Sequence, residues 1–159
     1  MDEIKKIVDL IVDLIERKNE MLSDLYKLTL AQKKLIESMD MDRLNRIIRN
    51  KEKIIEKIDK IDDKFLKEYQ GIKEKYNIDE LTELNVEKNY LIRLKEATKK
   101  CSDKVMEISE MDKKNSNIMS DRFDNVKTKL KEIKRGKTTT NKYYNKSPQT
   151  GGYFIDSKK

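Results

Sequence analysis

The sequence predicts an all-α protein: an elongated antiparallel three-helix bundle, or coiled-coil hairpin, with a long C-terminal helix and a disordered tail. Three observations carry that prediction. Apolar residues recur at alternating steps of three and four along most of the chain, the period of an amphipathic helix rather than of a strand. Of 159 residues only four are Gly and one is Pro, and three of those Gly lie with the Pro after residue 135, so the turns a sheet protein needs are missing. Charged residues make up 42% of the chain and hydrophobic ones 36%, fewer than a compact globule buries but enough for the narrow stripe of a helical rod.

The first helix is expected over residues 2–38. Its series runs Ile7, Ile11, Leu14, Met21, Leu25, Leu28, Leu35 and Met39, with Lys18 and Gln32 at the polar positions and Ile4, Val8, Ile15, Leu22 and Ile36 widening the stripe. A stripe wider than a two-stranded seam suits a helix that touches two partners. Lys18 and Gln32 are read as register-setting polar residues in preference to a face left open for another helix.

Ser38-Met39-Asp40-Met41-Asp42 breaks the period, with Asp40 placed to cap the next helix and Asp42 in its first turn. That second helix is expected over 41–76 on Leu44, Ile48, Ile55, Ile58, Phe65, Tyr69, Ile72 and Tyr76, with Lys51 and Asp62 polar. Gly71 is expected to fray or bend it.

Asn77 and Asp79 favour a turn, and Asp79 is expected to cap a third helix over 79–134. Its stripe includes Leu81, Leu84, Leu91, Leu94, Cys101, Val105, Ile108, Met119, Val126, Leu130 and Ile133. Asp112 and Asn115 occupy inward positions between Ile108 and Met119, and the helix is expected to leave the bundle there. Residues 1–135 then form one helical domain. Residues 136–159 are polar, breaker-rich and carry +4, the composition of a disordered basic tail, yet they hold Tyr143-Tyr144 and Tyr153-Phe154-Ile155. Such aromatics point to a recognition motif in preference to a tail that packs back onto the bundle.

Composition also narrows function. The chain has no His, so no His-bearing metal site or nucleophile pair can be assembled, and acidic clusters such as Glu80, Glu83 and Glu87 read as solvated helix faces. Cys101 alone forms no disulfide and reads as a small core residue in a reducing compartment. No Gly-rich phosphate loop is present. No catalytic, cofactor or metal site is therefore expected, and the protein is read as a non-enzyme.

The net charge of +7 is spread as interleaved Lys and Glu, not as a one-sided Arg-rich patch, which argues against nucleic acid. The acidic Met1-Asp2-Glu3 start has no signal-peptide character and no apolar run approaches a membrane span, so a cytoplasmic protein without stable membrane insertion is expected.

The run Leu22-Ser23-Asp24-Leu25-Tyr26-Lys27-Leu28 through Gln32-Lys33-Lys34-Leu35-Ile36 to Asp40 leads into Leu44-Asn45-Arg46-Ile47-Ile48-Arg49-Asn50-Lys51-Glu52-Lys53-Ile54-Ile55. With the ending Tyr153-Phe154-Ile155-Asp156-Ser157-Lys158-Lys159, this resembles the FlgN-type flagellar export chaperones. The resemblance implies a chaperone that binds hook-filament junction proteins, keeps them from aggregating and presents them to the cytoplasmic domain of the export gate. It implies client contact through Met119, Phe123, Val126, Leu130 and Ile133, and gate contact through Tyr143, Tyr144, Tyr153 or Phe154. The extra Tyr143-Tyr144 and the Lys-rich tail depart from the family and leave the gate tyrosine open. The alternative reading is a structural coiled-coil protein that homo-oligomerises through the same stripes, which also leave open a homodimer of the free chaperone.

Overall fold

The computed structural model describes residues 2–136, and the tail expected from residue 137 onward lies outside the described residues. Three long helices follow one another: α1 (Asp2–Glu37), α2 (Met41–Tyr76) and α3 (Lys88–Gly136). No strand occurs among the described residues. At 1.5 Å per residue, α1 and α2 are each roughly 54 Å long, and α3 is longer than either by about 20 Å.

α1 is the shared helix. Both α2 and α3 pack on it, and they approach each other far less closely. The wide α1 stripe is what this arrangement requires, because one helix has to cover two neighbours. α2 returns antiparallel through a tight turn, whereas α3 runs parallel to α1. Lys5–Glu87, Asp9–Arg93, Asn19–Ala97 and Thr29–Asn115 contacts climb both helices in the same order.

The α1–α2 turn is closed by local chemistry. Met39 adopts a left-handed conformation (φ 58°), and the amides of Met39 and Asp40 donate to the carbonyls of Ile36 and Leu35 at 3.1 and 3.0 Å. Those two bonds form the paired closure that ends many helices, here with Met where Gly is usual. Asp40 then caps α2 by accepting from the Arg43 amide at 3.3 Å.

Two expectations are corrected at the other end of the molecule. Gly71 does not fray α2, which continues to Tyr76 and ends on left-handed Asn77. The reason is tertiary: its neighbour Ile72 is buried among Val8, Ile11, Leu81 and Leu84, which holds the last turns against α1. The third helix starts at Lys88 rather than at residue 79, and Asp79 does not cap it. The Asp79 and Glu80 amides instead donate to the Glu83 carboxylate at 2.7 and 3.1 Å, shaping a short 3-10 turn over Leu81–Glu83. The turn delivers Leu81 and Leu84 inward, where they close the end of the bundle. These amide bonds, Glu80 first and then Asp79, hold the Glu83 carboxyl below its ordinary range.

The interior is three apolar clusters in series. The first gathers Val8, Ile11, Val12, Ile72, Leu81 and Leu94, the second Leu22, Leu25, Ile58 and Ile108, and the third Ile36, Leu44 and Met119. Polar residues separate them.

Candidate functional site

Between the second and third clusters, each helix contributes a polar residue at a stripe position. Gln32 lies one heptad after Leu25, Lys51 lies midway between Leu44 and Ile58, and Asp112 follows Ile108 by one turn. The heptad pattern therefore turns all three inward at the same level. Lys51 Nζ donates to Asp112 Oδ1 at 2.7 Å and to Gln32 Oε1 at 2.9 Å, with the Lys51 and Asp112 side chains 0% and 1% exposed. Beside them Asn115 Nδ2 donates to the Thr29 carbonyl at 3.1 Å. Burial pulls the Lys51 ammonium below the usual lysine range, against the opposing charge and hydrogen bond of Asp112.

A second, wetter polar level separates the first and second clusters, where Lys18 Nζ meets Asp62 Oδ1 at 2.7 Å. Both polar interruptions of the α1 stripe thus meet α2 partners, the arrangement expected of residues that fix helix register. The expectation that α3 leaves the bundle near Asp112 and Asn115 is corrected: both are buried, and α3 stays packed through Met119 and Phe123. A polar residue in the stripe marked a paired layer, not an exit.

The five residues expected to contact a client divide along α3. Met119 is 6% exposed and packs with Ile36 and Leu44, and half-buried Phe123 leans on the same cluster. Past Phe123 no described side chain of α3 is packed into a core cluster. Val126 is 41% and Ile133 57% exposed, with Leu130 half-buried between them. The steps 119, 123, 126, 130, 133 keep one face of the helix, so the face that is interior at Met119 emerges from the bundle as an apolar strip. α1 has ended at Glu37, so no helix among the described residues covers that strip. Tyr143, Tyr144, Tyr153 and Phe154 lie outside the described residues.

Cys101 is half-buried, and burial pushes its thiol pKa up, which keeps it protonated and a poor nucleophile. No group of His, Cys, Asp and Glu among the described residues is arranged to hold a metal ion, and no helix among them is long and apolar enough to cross a membrane.

A helical hairpin whose third helix carries its core face past the turn is a common enough shape that geometry alone does not name a family. The sequence does: the family model for the FlgN protein matches residues 3–152, nearly the whole chain. The chain belongs to the FlgN family. It is therefore a FlgN-type flagellar export chaperone, of a family that works by binding flagellar export substrates and not by catalysis. No curated protein and no solved structure matches it. The FlgN match extends past Gly136 to residue 152, taking in Tyr143-Tyr144 and stopping before Tyr153-Phe154.

Sequence reasoning noted Gln32, Lys51, Asp112 and Asn115 one at a time and missed that they form one layer in this FlgN chain. The available signal was that each lies a heptad or a turn from the same two apolar clusters.

Proposed function

We propose that this FlgN-family chain is a cytoplasmic chaperone of hook-filament junction proteins, which it binds through the emergent strip of α3, keeps from aggregating and hands to the cytoplasmic domain of the export gate. The observation that carries the reading is the strip itself. Val126, Leu130 and Ile133 continue a core face beyond the last residue of α1 that could cover it. An amphipathic client helix laid along it would bury those side chains by the helix-in-groove mode. Met119 and Phe123 form the inner end of the strip, where it joins the third cluster. The tail aromatics Tyr143, Tyr144, Tyr153 and Phe154 are the proposed gate contacts.

The competing reading is a structural protein whose strips pair two copies of the chain. Replacing Val126, Leu130 and Ile133 together by Ser separates them. A client site predicts that the melting temperature and the oligomeric state stay unchanged while capture of a junction protein is lost, since changes at surface positions usually stay within about 0.5 kcal/mol. A homo-oligomer predicts a lower melting temperature and dissociation, because those side chains would then be core and each truncation would cost about 2 kcal/mol or more.

A further inference from the structure

A second apolar surface opens on α3 just before the strip begins. Between α1 and α3 lies a groove of about 560 Å³, whose apolar lining is Tyr26, Leu30, Met111 and Ile118. Leu30 is 43% exposed there, one of the few large aliphatic side chains of the bundle so open to water. The groove and the strip are joined by helix geometry. Residues 118, 122, 126 and 130 form one i, i+4 ridge, so Ile118 in the groove leads past the aliphatic stem of Arg122 to Val126 and Leu130. From Met111 to Ile133 this path covers about 33 Å, or roughly six helical turns.

Charge indicates what lies along it. From residue 122 to 134, α3 carries Arg122, Lys127, Lys129, Lys131 and Lys134 against Asp124 and Glu132, and Lys33 and Lys114 flank the groove beside Glu107 and Glu110. A helix seated on the ridge would bring its polar flanks against a predominantly basic border over the emergent half.

Resting on the reading above, we propose that the client is gripped over this whole length: an amphipathic helix of about six turns seats one half, acidic along its flanks, on the Val126–Ile133 strip and the other in the Tyr26–Leu30–Met111–Ile118 groove. A client helix shorter than this would occupy the strip alone and bind more weakly. Leu30, on α1 and remote in sequence from the strip, is then a client-contacting residue.

The test titrates peptides covering the terminal helices of a hook-filament junction protein from the same organism onto three full-length chains. These are the wild type, Leu30→Glu, and the Val126→Ser, Leu130→Ser, Ile133→Ser variant, each checked for unchanged helicity and melting. The inference expects Leu30→Glu to weaken binding about tenfold or more, since one buried leucine is lost and a charge is set against the client's apolar face. It also expects the strip variant to abolish binding, and wild-type affinity to fall as salt is raised. Leu30→Glu binding within twofold of wild type, beside a strip variant that fails, overturns the groove and leaves the strip reading intact. A strip variant that binds normally overturns both. A salt-independent affinity overturns the acidic-flank assignment. Because Ile118 leans on the third core cluster, Ile118→Ser serves as a second groove variant only if its melting temperature is retained, and equal affinity in that case also counts against the groove.

Discussion

Lys51 of α2 and Asp112 of α3 meet at 2.7 Å inside the bundle, almost wholly removed from water, and Gln32 of α1 accepts a second hydrogen bond from the same ammonium. One side chain thus ties all three helices at a single level. A buried ion pair of this kind does little for net stability, because desolvating both charges offsets most of their attraction. Its consequence is register. Sliding α3 by a turn against α1 and α2 would leave a charge buried opposite aliphatic side chains.

Removing one partner should therefore be far worse than removing both. Lys51→Met leaves the Asp112 carboxylate buried without its cation and should cost about 3–5 kcal/mol, with Asp112→Leu similarly damaging. The double variant should recover most of that loss or exceed wild-type stability. Urea melts of the four proteins measure this directly, and equal, additive losses in the double variant would show that the pair is not coupled.

The depressed Lys51 pKa has a definite sign in pH. The folded state binds this proton less tightly than the unfolded chain, whose lysines titrate near about 10.4, so the unfolded state carries more protons between the two values. The penalty of burying a charged Lys51 is fully present below the folded pKa and fades as pH rises toward the unfolded one. Measured against the Lys51→Met, Asp112→Leu double variant, wild-type stability should gain as pH is raised into the alkaline range. A difference that is flat with pH would place the Lys51 ammonium in its ordinary range.

Gly71 offers a simpler test of the packing. It sits on an exposed face of α2, and a methyl group added there would meet nothing within 4 Å. Gly71→Ala should stabilise the protein by roughly 0.5–1 kcal/mol, the helix-propensity difference, with no change in client binding. Thermal melts read the gain. A loss of stability would mean that α2 does bend there in solution.

What the sequence disclosed and what it withheld divide along one physical line. Periodicity within a segment gave the three helices, and local chemistry gave the Asp40 cap, since each depends on residues a few positions apart. The start of α3 was misread because Leu81 and Leu84 fit a helical stripe as well as they fit a packed 3-10 turn, and only contact with Val8 and Ile72 chooses between them. Gly71 was overweighted because propensity ignores Ile72 beside it. The Gln32–Lys51–Asp112 layer was invisible as a unit because pairing three helices fixes a relative height that no single stripe contains. Met119 lies on the same face as Val126 yet inside the third cluster, a difference set by where α1 ends.

In the proposed function, the core face of α3 becomes a client surface where it passes the α1–α2 turn. Amide hydrogen exchange of the full-length chain, with and without a bound hook-filament junction protein, tests it most directly. Free, the amides after Phe123 should exchange much faster than those around Ile108 and Asp112, which packing on α1 protects. With client bound, the account predicts strong new protection over residues 123–134 and little change across α2. Protection confined to α2, or none between Phe123 and Lys134 while the client is bound, would contradict it.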